Sequence, residues 1–471
     1  MLGNRTHERL SSLDASFLEV ETPTAHMHVG WVALFRPREG AERPSFNKLR
    51  AFVAARLGRA PRYRQKLAFV PLGLHDPVWI DDREFDVSHH VQHSTARDID
   101  HLVERVFSKQ LRRDRPLWEL WIADELEDGR IGVVGKAHHC MVDGIAAVEL
   151  SSLFLDLSPT QEPEAAEEWN PAPPPGRAAL LAQAVRDRVG EELDLVRLPA
   201  QIARSPRKLA DTAADMRKAA RSLAHSFSPT APPSAFNDPI SPLRRLGKVR
   251  RPIGDLLRIK ERYGTTLNDV VLAVASGGVR RFQQQHDRTP IRLKAMVPVN
   301  VRGNGVAADL GNQVSFVFIE LPCDEPDPLR RLEDIHAVMS DRKETGEPRG
   351  SQAVLRAIGY APHSVQHAVT HAVASARTFN LVVSNVPGPR QPLYMLGCPM
   401  EEAYPIVPLA DQHAVAIGFT TVVDDAFFGV YVDRKSVPDA DLLARDIEQS
   451  IDELLTGSSR SASDRYSRIG F

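Results

Sequence analysis

The alternation of apolar and polar positions divides the chain into short strands and amphipathic helices. In the first third, 26–36, 118–124 and 130–138 read as strands, the last carrying Ile131, Val133 and Val134 among small residues. Residues 46–57 and 98–113 read as helices, with Asp98 placed to cap the second. Past the middle, 266–285 predicts a long helix and 439–455 a closing one. Between them 291–297, 313–321, 379–384, 414–423 and 427–432 predict strands. Strands interleaved with helices in two halves predict an α/β protein of two domains with mixed sheets.

The halves are separated by proline. Pro159, Pro163, Pro171 and Pro173 to Pro175 fall among Glu162, Glu164, Glu167 and Glu168, which predicts an exposed linker. Leu181, Val185, Val189, Leu193 and Val196 then recur at helical spacing, and Pro199 and Pro206 are expected to break that helix into two. The layout is a first domain over 1–156, a linker and helical crossover over 157–244, and a second domain over 245–456. The polar tail 457–471 is expected to be disordered.

Composition narrows the function classes. The 471 residues hold 59 Lys+Arg against 61 Asp+Glu, a net charge of −2, without the basic excess of a dedicated nucleic-acid binder. Three dispersed cysteines, Cys140, Cys323 and Cys398, predict neither a disulfide framework nor a structural zinc site, and favour a reducing, cytoplasmic setting. No apolar run reaches the length of a membrane span, and no apolar stretch near the first residue reads as a secretion signal. The average hides an uneven crossover, where 177–221 carries ten Lys/Arg against six Asp/Glu. That excess on helical apolar spacing fits a solvated helix pair between domains, or a peripheral contact with anionic membrane or lipid-droplet surface.

The densest chemistry is His138-His139-Cys140-Met141-Val142-Asp143-Gly144, directly after a strand. Alternation sends the two histidines to opposite faces, so one can look into a cleft while the other packs behind. Imidazole titrates near neutral pH and suits a general base, Asp143 can fix the loop, and Gly144 permits a sharp turn. A shared metal ion, a Cys140 nucleophile and two merely structural histidines are the competing readings. His363, His367 and His371 share one helix face without a carboxylate or cysteine, which reads as a solvated or interdomain face rather than a metal site.

The His138–Gly144 segment matches the HHxxxDG motif of CoA-dependent acyltransferases built like chloramphenicol acetyltransferase. Further segments resemble the bacterial wax ester synthase/diacylglycerol acyltransferases, particularly the actinobacterial members. They are Ser12-Leu13-Asp14 with Phe17-Leu18, Pro116-Leu117-Trp118, Phe236 to Ser241, Asn268-Asp269, Gly311-Asn312-Gln313, and Ser384-Asn385 leading into Pro387-Gly388-Pro389. The resemblance implies two chloramphenicol-acetyltransferase-like domains with the active site in a channel between them. It implies acyl transfer from acyl-CoA to diacylglycerol, or to a long-chain alcohol, with no metal and no tightly held cofactor. A related acyltransferase for another hydroxyl, and a non-catalytic lipid-surface protein, are the alternatives. His139 is then the base, His138 its support or partial substitute, Asp143 a structural residue and Gly144 a clearance beside the base. Asn268 is a candidate for reaching the reacting oxygen. Pro116, Leu117, Trp118, Asn312, Ser384 and Asn385 are candidates for lining the substrate path or the domain interface.

Overall fold

The structure is a computed structural model that describes residues 7–40, 42–141, 154–160, 167–203, 229–300, 314–345 and 363–467. In chain order the helices are α1 (Ser12–Glu19), α2 (Phe46–Arg56), α3 (Ile99–Phe107), α4 (Arg177–Ala203), α5 (Ile253–Tyr263), α6 (Leu267–Gln285), α7 (Pro328–Thr345), α8 (His363–Val373) and α9 (Ala440–Ser467). The early strands are β1 (His28–Phe35), β2 (Gln65–Ala68), β3 (Val78–Asp81), β4 (Val91–His93), β5 (Trp118–Ala123) and β6 (Ile131–His138). The later ones are β7 (Arg244–Pro252), β8 (Leu293–Asn300), β9 (Val314–Leu321), β10 (Leu381–Asn385), β11 (Tyr394–Met395), β12 (Cys398–Ile406), β13 (Val415–Val422) and β14 (Asp425–Asp433).

Two six-stranded sheets organise these elements, in the orders β11-β12-β1-β6-β5-β4 and β7-β14-β13-β10-β8-β9. Both are mixed. β4 runs parallel to β5 in the first, and β10 runs parallel to β8 and β13 in the second. β6 lies between β1 and β5 with every residue buried, which explains its unbroken apolar and small-residue run. One residue breaks that run. Lys136 keeps a buried ammonium, paired across the sheet with Glu119 (3.2 Å) and donating to the Val106 and Lys109 carbonyls (2.9 and 3.1 Å). A cation at the carbonyl end of α3 is favoured by the helix dipole.

The two halves interlock. β12 comes from the C-terminal half yet pairs along β1. It also crosses β14 so closely that a Cβ on Gly429 would sit 2.1 Å from the Pro405 carbonyl oxygen. α3 of the first half packs on β7 of the second, tied by Lys248–Asp100 (2.6 Å) and Arg434–Glu104 (3.1 Å). A buried pair, Arg56–Asp156 (2.7 Å), joins α2 to the segment whose backbone bridges Tyr394. In the second half α6 and α9 pack together, with α9 lying over β7.

Three expectations are corrected. α4 runs through Pro199, which stands near its C-terminal end, where the loss of one N–H does not stop the helix; Pro206 lies outside the described residues. The closing helix α9 runs on to Ser467 instead of ending near 455, so most of the polar tail is helical. The helix over 98–113 stops at Phe107, leaving 108–113 to bend toward the end of β6.

Candidate active site

β6 ends where β1 begins, with His28 opposite His138. The chain then turns. His139 N–H donates to the Met27 carbonyl (3.0 Å), and Met141 N–H to the His138 carbonyl (2.9 Å). Met27 holds a left-handed backbone (φ 47°), a strained conformation of the kind concentrated at functional sites. The strand before the turn is fixed by the Pro116-Leu117-Trp118 segment. The Leu117 carbonyl accepts the His138 N–H (2.9 Å), and Trp118 sits opposite Ala137.

The two histidines differ in every respect that matters chemically. His138 is fully buried, and its Nδ1 accepts the Cys140 N–H (3.1 Å). That leaves Nε2 to carry the proton of the neutral ring, 3.6 Å from Glu21 Oε2. Glu21 is itself paired with Arg113. Burial, helped by the Arg113 charge, pushes His138 down to about 3. His28, also buried and close by (ring centroids 6.2 Å), is held well below the usual range by desolvation, then by Lys136. A set of neutral imidazoles thus packs behind the turn.

His139 is half-buried and faces the other way. Its ring stacks on Phe17 of α1, with centroids 3.9 Å apart and planes within 16°. α1 is anchored by Ser11, whose hydroxyl caps the Asp14 N–H (3.1 Å). Ala15, Phe17 and Leu18 join Leu10, Leu67, Trp79, Leu111, Leu117, Cys140 and Met141 in a small apolar cluster around the turn. Cys140 is buried there, and desolvation pushes its thiol up far out of the range in which a thiolate forms.

β6 ends at His138, so His139 belongs to the turn that follows the strand. A small cavity of about 40 Å³ lies along β1, β5 and β6, lined mostly by Val29, Trp31, Tyr63, Trp118, Ala137 and Phe154. Trp118 is locked in place, donating to the Tyr63 carbonyl (2.8 Å) and stacking on His90 (4.7 Å).

The other candidates lie on the second sheet and its helices. Asn268 is half-buried in the first turn of α6. Its neighbour Asp269 is buried, closes a capping box with Thr266 (2.9 and 3.2 Å) and accepts from His336 (2.7 Å). Ser384, buried, and Asn385, half-buried, end β10. The following turn brings Gly388 against Thr421, where a Cβ would collide with the carbonyl oxygen. Among the described residues none of Asn268, Ser384 and Asn385 hydrogen-bonds to either histidine. Asp143, Gly144 and Asn312 lie outside the described residues. His367 of α8 faces Glu19 of α1 (3.4 Å) and His371 (4.3 Å between rings), an interdomain contact. Glu21, Arg113 and His28 escaped sequence reasoning because no spacing links them to the motif; Phe17 stood in the opening segment without a role.

Residues 10–271 match the family described as wax ester synthase/diacylglycerol acyltransferase catalytic domain, and 310–455 match the WS/DGAT C-terminal domain. A Mycobacterium tuberculosis (strain H37Rv) protein named a probable diacylglycerol O-acyltransferase is 30% identical over 96% of this chain and 96% of its own length. A solved wax ester synthase/diacylglycerol acyltransferase from Marinobacter aquaeolei VT8 superposes with a TM-score of 0.68 at 25% identity, covering 96% of this chain and 100% of that one. The first condensation domain of the calcium-dependent antibiotic synthetase shares the fold, with a TM-score of 0.60 at 15% identity over 97% of each chain.

Proposed function

Because the chain belongs to the wax ester synthase/diacylglycerol acyltransferase family, we propose that it moves an acyl group from acyl-CoA directly to the free hydroxyl of diacylglycerol, with His139 as general base. The observation that carries this reading is the division of labour at the turn. His139 is half-buried with its ring stacked on Phe17, while His138 is buried and committed to the backbone.

His139 takes the proton as the acceptor oxygen attacks the thioester carbonyl. The tetrahedral oxyanion collapses by breaking the carbon–sulfur bond, and the departing CoA thiolate takes the proton from the imidazolium. No acyl-enzyme forms on this route, in keeping with a Cys140 thiol that burial keeps protonated. Phe17 holds the imidazole plane. His138 holds the turn through the Cys140 N–H and takes no proton itself. Asn268, at the start of α6, remains our candidate donor to the oxyanion, and Asp143 our candidate for fixing the loop.

Diacylglycerol is the preferred acceptor in this reading, on the strength of the relatives' names, with long-chain alcohols as a second class. Both are lipid-soluble, which places the enzyme at a lipid surface. No helix among the described residues is long and apolar enough to cross a membrane. The test is a panel of diacylglycerol, hexadecanol and a sterol or glycolipid alcohol with palmitoyl-CoA, each with wild type and His139→Ala. His139-dependent triacylglycerol supports the assignment. Turnover confined to another acceptor refutes the diacylglycerol assignment.

A further inference from the structure

The loop joining β2 to β3 projects an apolar tip into solvent. Leu72 is 90% exposed, Phe69 54% and Leu74 44%. A leucine so bare is unusual, and its backbone is more so. Leu72 adopts φ 62° and ψ 10°, the left-handed region that a side chain with a Cβ occupies at a cost. The chain holds that conformation with the side chain outward, while Val70, His75 and Asp76 of the same loop are buried.

α4 extends the patch. Its inner stripe, Leu180 and Ala184, is buried, with Leu180 packed on Val78 and Ile80 of β3. Its outer face shows Val185 (51% exposed) and Val189 (49%) one turn apart. Between them Arg188 donates to the Leu74 carbonyl (3.3 Å), which fixes this turn beside the loop tip. Five apolar side chains from two elements therefore share one side of the molecule.

The charges around them are sorted. Asp187 turns inward to Arg9 (3.0 Å), and Asp76 is buried beneath the tip. Arg186 stands exposed next to Val185, and Arg188 flanks the tip. Leucines on a projecting point flanked by Arg186 and Arg188 match a fluid apolar phase under anionic headgroups. A protein groove would call for a flat or concave face instead. The base of the same hairpin, Leu67 and Trp79, belongs to the apolar cluster that surrounds Cys140 and packs under Phe17.

We propose that the 69–74 tip and the Val185/Val189 face of α4 form the docking surface for an anionic lipid layer, and that Leu72 inserts into it. The inference rests on the lipid acceptor assigned above and adds where the protein meets that lipid. Insertion there brings the lipid phase to the hairpin whose base adjoins the catalytic turn.

The test uses the full chain in flotation with vesicles of phosphatidylglycerol and phosphatidylethanolamine, and with pure phosphatidylcholine vesicles. Leu72→Gly removes the inserting side chain and relieves the backbone, so its melting temperature is expected to equal or exceed that of wild type. Its partitioning to anionic vesicles is expected to fall about tenfold. Arg186→Gln is expected to lose about fivefold on anionic vesicles and nothing on phosphatidylcholine. Turnover of a dissolved short-chain acyl-CoA and alcohol is expected to be unchanged in both variants. Equal vesicle binding by wild type and Leu72→Gly would overturn the proposal, as would a wild type that binds no vesicles. A wild-type dimer that Leu72→Gly converts to a monomer without changing vesicle binding would also overturn it, making the face a contact between copies. In each of these cases the soluble-substrate assay still reports separately on the acyltransferase reading.

Discussion

Replacing His138 by asparagine leaves an oxygen where the imidazole Nδ1 accepts the Cys140 N–H, and removes the titrating ring. Wild-type His138 sits at about 3 against an ordinary value of 6.5, because its burial disfavours the charged form. The stability tied to this ring is therefore complete above pH 6.5 and is lost as the pH falls toward 3. Between about pH 7 and pH 5 the ring alone costs the wild type roughly 2 kcal/mol, at about 1.36 kcal/mol per pH unit below 6.5. Asparagine gives up none of this. His26, His28, His90 and His413 are also held low by burial, but they remain in both proteins and drop out of the difference. Guanidinium unfolding at the two pH values should show a pH dependence shallower by about 2 kcal/mol in His138→Asn. Parallel curves would refute the buried, neutral ring. The kinetic arm is as direct. A residue that only holds the turn is expected to cost at most about tenfold in kcat when its acceptor is preserved, against about 100-fold or more for loss of the base. A folded His138→Asn enzyme as inactive as His139→Ala would refute the assignment of roles.

Other substitutions test neighbouring parts of the account. Cys140→Ala is expected to keep acyl transfer within about threefold, the loss being packing in a small apolar cluster; mass spectrometry of wild type under turnover should find no acylated Cys140. Phe17→Ala should lower kcat about three- to tenfold with KM little changed, since an aromatic pair is worth about 0.5–1.5 kcal/mol, and Phe17→Tyr should restore it. Asp156→Ala removes the carboxylate from a buried guanidinium and should cost about 3–5 kcal/mol by denaturant unfolding. Among the described residues the buried Tyr63 hydroxyl has no hydrogen-bond partner, so Tyr63→Phe should leave the melting temperature equal or higher.

Much of the fold was legible where hydrophobic pattern and local chemistry agree. β6 announced itself as an apolar run, α6 through Thr266 and Asp269 at its start, and the histidine turn through residues adjacent in sequence. β7 was missed because its strand character is carried by arginines whose partners lie far along the chain. Arg245 pairs with Asp441 (3.0 Å), Arg250 with Asp425 (2.7 Å) and Arg251 with Asp452 (2.8 Å). Such long-range pairing leaves no alternating apolar trace. β12 was missed for a topological reason, since nothing local in 398–406 says that it completes the other half's sheet. The same holds at the site. The histidine pair was readable, and so was its division between two faces. The environment that makes one ring permanently neutral was not, because Glu21, Arg113 and His28 meet His138 only after folding. Lys136 shows the reverse case, a polar residue inside a strand whose cost is offset by the carbonyl end of α3.

The most direct measurement is CoA release from palmitoyl-CoA, in the presence and absence of diacylglycerol, by wild type and by a His139→Ala enzyme shown to be folded. The account predicts acceptor-dependent release by wild type and a loss of about 100-fold or more in the variant. Wild-type rates from His139→Ala would contradict it.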